Sequence, residues 1–227
     1  MTLVRNLKGY SIWDDLRVSY AALAAAYLHH RSGGIKSLDA VDCLSLDIAV
    51  RSTETHVNLT DTRKICPFIG TDSERPGEVF DNLNHMYVLI QASELLAGKY
   101  GFQPTFCSPT QQSDQDGARI ADLEGENWAL EAYGGGNLSN NGKLAKDLRT
   151  LAGRAAIGNR TFLAFRTESY SKVSRWPTED DTSVRARCSK AHGGPFTATA
   201  DARLQGHLNG VSVIEVYRIN IIAETSE

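Results

Sequence analysis

A chain of 227 residues with 41% hydrophobic and 22% charged residues has the size and composition of one globular domain with additions. It has no apolar run near the ~20 residues of a membrane helix, and its first residues lack a signal-peptide core, so we expect a cytoplasmic protein without membrane contact. The net charge of −3 provides no global basic field, so any nucleic-acid contact has to come from a local patch.

The first 77 residues predict a helical extension. Apolar residues recur at helical spacing over 12–30, and the Ser-Gly-Gly that follows ends this helix. Weaker periodicity over 38–48 hints at a second helix, whereas 53–61 fits either a strand or a loop. Two prolines and two glycines predict a loop over 64–77.

A long helix is predicted over 78–97, where large apolar residues follow a helical stripe. Gly98 and Gly101 follow on the side where glycine usually ends a helix. A short strand interrupted by a proline is expected over 102–107.

The segment GARIADLEGENWALEAYGGG carries most of the functional information in the chain. Alternation predicts a strand over 118–123, a tight turn at 125–126 and a second strand over 128–133, which together form a hairpin. Asp122 falls near the end of the first strand and Glu131 near the end of the second. A short turn brings residues at such offsets side by side, so two carboxylates are expected at one end of the sheet.

Downstream of the hairpin, a leucine stripe predicts a helix that starts near Ser139, and 160–166 predicts a strand. The polar segment 167–208 is expected to be irregular, and 210–223 predicts a strand or a pair of strands.

This order of elements, with Asp122 and the tripeptide Glu131-Ala132-Tyr133, resembles the PD-(D/E)XK nuclease superfamily. The resemblance implies an α/β fold, of the α+β type with a mixed sheet, built on a restriction-endonuclease-like αβββαβ core. The core would occupy 78–166 of a single domain, with the N-terminal helical extension at 1–77 and a β-containing C-terminal addition at 167–227.

The resemblance also implies a metal site. Asp122, Glu131 and the backbone carbonyl of Ala132 would be its ligands, because Mg²⁺ prefers hard oxygen ligands and keeps places for water and phosphate. Mg²⁺ would polarise the phosphoryl oxygen and activate water for phosphodiester hydrolysis. The alternative is that both carboxylates are ordinary polar residues on the solvent face of a hairpin.

Tyr133 departs from the family pattern, because the family usually has a lysine there. A phenol with a pKa of about 10 is a poor base at neutral pH. Lys143 and Lys146, at the start of the following helix, are the nearest replacements, unless the site has lost catalysis. On the preceding helix, Glu94 is the first choice for a further site carboxylate and Glu78 the second, although either also fits a solvated helix residue.

A basic patch is expected in the polar C-terminal segment. It comprises Arg175, Arg185, Arg187 and Lys190, which flank a tryptophan and suit contacts to phosphates and base edges. An acidic stretch interrupts the patch, and a solvated surface loop explains it equally well.

The sequence therefore predicts a Mg²⁺-dependent DNA endonuclease, restriction-like and acting on double-stranded DNA as a homodimer. The alternative is a non-catalytic module that binds nucleic acid or a partner through a degenerate nuclease core, as Tyr133 suggests.

Overall fold

The structure is a computed structural model, and it describes residues 12–32, 37–39, 56–65, 69, 71–104, 106–107, 112–113, 119–133, 143–166, 196–199, 205–208, 211–216 and 220–222. Within these residues the protein is a mixed α/β structure with a mixed sheet. The described helices are α1 (Ile12–Ser32), α2 (Thr60–Ile65), α3 (Pro76–Tyr100) and α4 (Lys143–Ala156). None of these helices is long and apolar enough to cross a membrane.

The described strands are numbered in chain order. They are β1 (Ser37–Asp39), β2 (Val57–Asn58), β3 (Ser73–Glu74), β4 (Phe106–Cys107), β5 (Gln112–Ser113), β6 (Arg119–Ile120), β7 (Leu123–Gly125), β8 (Trp128–Tyr133), β9 (Arg160–Arg166), β10 (Phe196–Thr199), β11 (Gln205–Leu208), β12 (Val211–Val216) and β13 (Asn220–Ile222).

Seven of the described strands form the main sheet, in the order β10-β11-β12-β9-β8-β7-β4. The strands β4, β7 and β8 are antiparallel neighbours, whereas β8, β9 and β12 run parallel. Helix α4 connects β8 to β9, and a parallel connection of this kind requires such a crossover. It follows that α4 runs back along the sheet, antiparallel to β8 and β9.

The two faces of the sheet carry different residues because side chains alternate along a strand. Trp128, Leu130 and Ala132 of β8 join the core cluster formed with α1 and α3. The residues between them, Ala129 and Glu131, face the opposite side, where α4 contacts β8 and β9. The carboxylate of Glu131 therefore belongs to the α4 side of the sheet.

Helices α1 and α3 pack antiparallel. Their rings meet in two pairs, with centroids 5.8 Å apart for Tyr20 and Tyr87 and 5.9 Å apart for Tyr27 and Phe80. Helix α3 begins with a proline and is longer than the sequence predicts. It continues through Gly98 because Tyr100 packs 6.2 Å from the ring of Phe162, and packing of this kind offsets the ~1 kcal/mol penalty of an internal glycine.

The hairpin turn lies one residue later than predicted. Its turn residues are Glu126 and Asn127, and Gly125 is the last residue of β7, paired with Trp128. A side chain at Gly125 would overlap the indole of Trp128, which is 2% exposed. Glycine is therefore required here for the close approach of a buried tryptophan rather than for the turn itself.

Several other predicted elements also differ from the structure. Part of the predicted loop 64–77 is ordered, since α2 extends to Ile65 and β3 pairs with β2. Leu38, assigned to a possible second helix, lies in β1, which pairs with β13. The segment predicted as irregular contains β10 and β11, which extend the main sheet. Short strands of this kind depend on distant partners, which a local pattern does not reveal.

Candidate metal centre

Asp122 and Glu131 both lie just beyond the end of the β7–β8 ladder. The last pair of this ladder is Leu123 with Leu130, and Asp122 and Glu131 are the next residues on the two segments. Glu131 faces α4, whereas the carboxylate of Asp122 contacts His85 of α3, so the two carboxylates are not paired across one regular face of the sheet. Each is 4% exposed, so these are not the solvated hairpin residues of the alternative interpretation.

The chain bends at Asp122, just before β7 begins, rather than passing through it as a regular strand. At this bend the Oδ2 atom of Asp122 accepts a hydrogen bond of 2.8 Å from the backbone N–H of Ala132. The carboxylate thus replaces the backbone acceptor that a continuing strand would provide. In an antiparallel pair, a residue directs its N–H and its C=O towards the same neighbour, so the carbonyl of Ala132 also points towards the Asp122 side.

His85 approaches the same carboxylate from α3. Its Nε2 atom lies 3.3 Å from Oδ2 of Asp122, and the two side chains are 14% and 6% exposed. The contact is within ion-pair distance but lacks the geometry of a hydrogen bond. We therefore describe it as an electrostatic contact. His85 drew no functional interpretation from the sequence, because it lies in a largely apolar helix and no second histidine or glutamate accompanies it at metal-ligand spacing.

An ion pair joins α4 to the hairpin on the Glu131 side of the sheet. The Nε atom of Arg154 donates to Oε1 of Glu124 at 2.6 Å, and the same oxygen accepts the N–H of Ala121 at 2.9 Å. The two side chains are 9% and 18% exposed. This pair fixes the C-terminal end of α4 against the turn end of the hairpin.

A third buried carboxylate, Asp147, lies on the same stripe of α4, seven residues before Arg154. Two helical turns correspond to ~10.5 Å along the axis. Because α4 runs antiparallel to β8, this places Asp147 towards the end of β8 that carries Glu131. Asp147 is 1% exposed, and the sequence analysis did not single it out.

Glu94 is a correction to the sequence-based site. Its carboxylate pairs with the guanidinium of Arg17 on α1, at the surface between the two helices. It lies nine residues beyond His85, which is ~13.5 Å along α3 and on the opposite side of the helix. Glu78, the second choice, is exposed. Neither glutamate is therefore brought to Asp122.

The structure describes only some of the remaining predicted residues. Tyr133 is the last residue of β8 and Lys143 the first of α4, but the described structure covers neither side chain. Lys146 is exposed and directly precedes Asp147, so it lies ~100° around the helix from the buried stripe. The proposed DNA contacts Arg175, Arg185, Arg187 and Lys190 are outside the described residues.

The chemistry of these donors suits Mg²⁺ better than a softer metal. Among the described residues, no group of three His, Cys, Asp or Glu side chains is arranged to hold a metal ion. Mg²⁺ is held by one or two carboxylates, with water and substrate phosphate completing its shell. Asp122, Glu131 and the carbonyl of Ala132 are oxygen donors of this kind.

Comparison of the chain with protein-family models, with curated proteins and with solved structures finds no match. The assignment of function therefore depends on the residues and geometry described above.

Proposed function

We propose that this protein is a Mg²⁺-dependent DNA endonuclease of the PD-(D/E)XK type. The observation that carries the proposal is that two buried carboxylates, Asp122 and Glu131, lie at the same end of the β7–β8 ladder, beside the backbone of Ala132. Carboxylates are seldom buried without hydrogen bonds, cations or a metal around them. The N–H of Ala132 and His85 supply part of this environment for Asp122, and a divalent cation held by both carboxylates would supply more.

In this proposal Asp122, Glu131 and the carbonyl of Ala132 hold Mg²⁺, which when bound supplies electrophilic assistance to attack on the phosphodiester. The hydrogen bond from Ala132 and the contact with His85 both fall on Oδ2 of Asp122, and they fix the orientation of this carboxylate. The ion pair of Arg154 with Glu124 holds α4 against the hairpin on the side of the sheet that Glu131 faces.

Lys143 is the better candidate for the cation that Tyr133 does not provide. It is the first residue of α4 and lies four residues, about one helical turn, before Asp147 of the buried stripe, at the end of the helix nearest Glu131. A cation at a helix N-terminus is unfavourable by a few tenths to about 1 kcal/mol, which a catalytic role would offset. Lys146, exposed and off this stripe, has no comparable position.

Lys143→Ala is expected to lower the cleavage rate by at least ~100-fold, while Mn²⁺ affinity and the free energy of unfolding stay near wild type, because the group acts on the transition state. Lys146→Ala is the matched control on the same helix turn and is expected to cut DNA at the wild-type rate. A wild-type rate in Lys143→Ala would remove this residue from the mechanism.

The main experiment measures nicking and linearisation of supercoiled plasmid DNA in Mg²⁺ and in EDTA. Glu131→Gln is expected to abolish cutting, because the amide provides no negative charge to the cation. Glu126→Gln is the matched control, since Glu126 is an exposed residue in the turn of the same hairpin. Cutting that survives in both Asp122→Asn and Glu131→Gln would overturn the assignment.

Tyr133 in place of lysine favours a second candidate, a nucleic-acid- or partner-binding module that retains the nuclease core without activity. It predicts salt-dependent DNA binding with no metal-dependent cleavage. If the enzyme is active, we propose that it works as a homodimer, because cutting both strands requires two sites and a two-fold dimer matches a two-fold DNA sequence.

A further inference from the structure

Arg160 lies over a cluster of aromatic rings at the start of β9. Its Cζ atom is 4.1 Å from the ring centroid of Tyr100, 5.3 Å from that of Phe162 and 6.0 Å from that of Phe102. The ring of Phe102 in turn stacks on Trp128, with centroids 5.9 Å apart and planes inclined by 7°. The guanidinium is therefore held in place by ring contacts while the residue remains exposed.

Lys99 adds a second cation to this cluster. Its Nζ atom is 5.5 Å from the centroid of Tyr100. Because Nζ of Lys99 and Cζ of Arg160 both lie near the ring of Tyr100, their distances to its centroid place the two atoms at most 9.6 Å apart. Among the described residues, no carboxylate pairs with Lys99 or with Arg160, unlike Arg154, Arg17 and Arg63.

This pair of cations lies at the other end of β8 from the carboxylates. Arg160 is paired with Trp128, three residues before Glu131, which is ~10 Å along the strand. Its backbone N–H also donates to the carbonyl of Asn127 in the hairpin turn, at 2.9 Å. Arg160 shares the face of the sheet that carries Trp128 and Phe162, whereas Glu131 faces α4. The two cations are thus attached to the same hairpin as the candidate metal centre but lie on the other face of the sheet.

We propose that Lys99 and Arg160 form a binding surface for the phosphates of the DNA backbone. The proposal rests on the proposed function, in that the substrate is DNA. A guanidinium whose plane is already fixed by aromatic rings loses little conformational freedom when it binds a ligand. It presents its N–H groups to a phosphate in a planar fork. Duplex DNA carries one charge per ~1.7 Å of its axis, so two cations at most 9.6 Å apart can each meet a phosphate of the same duplex.

The test measures binding of a fluorescein-labelled 30-base-pair duplex by anisotropy, in EDTA, from 50 to 200 mM KCl. Loss of one phosphate contact reduces the magnitude of the slope of log K against log[salt] by ~0.9. Over this fourfold range of salt, the affinity of such a variant therefore falls by a factor about 3.5 times smaller than the wild-type affinity does. We expect this decrease in Arg160→Gln and in Lys99→Gln, whereas Arg160→Lys retains the wild-type slope. Lys64→Gln, which removes an exposed cation of α2, is the matched control and keeps the slope.

Unchanged slopes in Arg160→Gln and Lys99→Gln would overturn the proposal. This holds even if Arg160→Gln lowers the melting temperature, because the contacts of Arg160 with the rings would then only stabilise the fold. The proposal would also be overturned if Arg160→Gln and Lys99→Gln weakened binding to a poly-glutamate peptide as much as binding to DNA, since the surface would then bind acidic side chains rather than phosphate. Because the measurement contains no metal, its outcome is independent of whether Asp122 and Glu131 support cleavage.

Discussion

Asp122 has a structural role in addition to its proposed role as a metal ligand, and two substitutions separate the two. Its Oδ2 atom accepts the N–H of Ala132, and both residues are almost completely buried. Asp122→Ala leaves this N–H without an acceptor, and a buried unsatisfied donor costs about 1–3 kcal/mol. For a protein of this size, 1 kcal/mol corresponds to roughly 2–4 °C in melting temperature, so a decrease of roughly 2–12 °C is expected.

Asp122→Asn is expected to behave differently. The amide oxygen of asparagine accepts the same hydrogen bond, and the substitution removes a buried negative charge. We therefore expect a free energy of unfolding at or above the wild-type value, together with complete loss of cleavage and of Mn²⁺ binding. Urea unfolding followed by circular dichroism measures stability, and plasmid cutting measures activity. If Asn and Ala destabilise the protein equally, the Ala132 hydrogen bond does not have the role assigned to it.

Three further predictions concern stability. Arg154→Met is expected to lower the free energy of unfolding, measured by urea denaturation, by about 3 kcal/mol, because the largely buried carboxylate of Glu124 loses its cation. Adding Glu124→Gln to this variant should restore part of the lost stability. If the effects of the two substitutions are strictly additive, the pairing is contradicted. Gly125→Ala is expected to lower stability by at least ~1–3 kcal/mol through its overlap with Trp128, and an unchanged melting temperature would contradict this packing. Burial raises the pKa of Glu74, so its stabilising contribution is present below the unfolded-state pKa and is lost as the pH rises through the folded-state pKa. Glu74→Gln stays neutral, so its free energy of unfolding is expected to increase relative to that of the wild type between about pH 4 and pH 7. A decrease relative to the wild type over this range would contradict the sign of the shift.

The hairpin and the helices on either side of it were predictable because their signals are local. Alternation over 128–133 identified β8, and the buried positions of Trp128 and Leu130 follow from it. The mixed α/β class is confirmed. The bend at Asp122 was not predictable, because a carboxylate that takes the place of a backbone acceptor leaves no trace in the alternation pattern. The one-residue shift of the turn has a similar cause, since Gly125 is needed by Trp128.

The residues around the carboxylates depend on contacts between distant parts of the chain. His85 reaches Asp122 across 37 positions, and Glu94 pairs with Arg17 across 77. On α3 the sequence favoured Glu94 and gave His85 no role, because the sequence does not show which side of the helix faces Asp122. Asp147 and Arg154 became recognisable as a buried stripe only once α4 was seen against β8 and β9. Arg160, predicted only as a strand residue, likewise requires the rings of α3 and β9.

The most direct test of the proposed function is a crystal structure of the wild-type protein grown with Mn²⁺, with anomalous diffraction used to locate the metal. We predict one anomalous peak per site, within ~2.0–2.3 Å of an oxygen of Asp122, an oxygen of Glu131 and the carbonyl oxygen of Ala132, distances that allow for Mn²⁺ being slightly larger than Mg²⁺. The peak should be absent from crystals of Asp122→Asn. Wild-type crystals with no anomalous peak between these three groups, at millimolar Mn²⁺, would contradict the assignment of a metal-dependent nuclease.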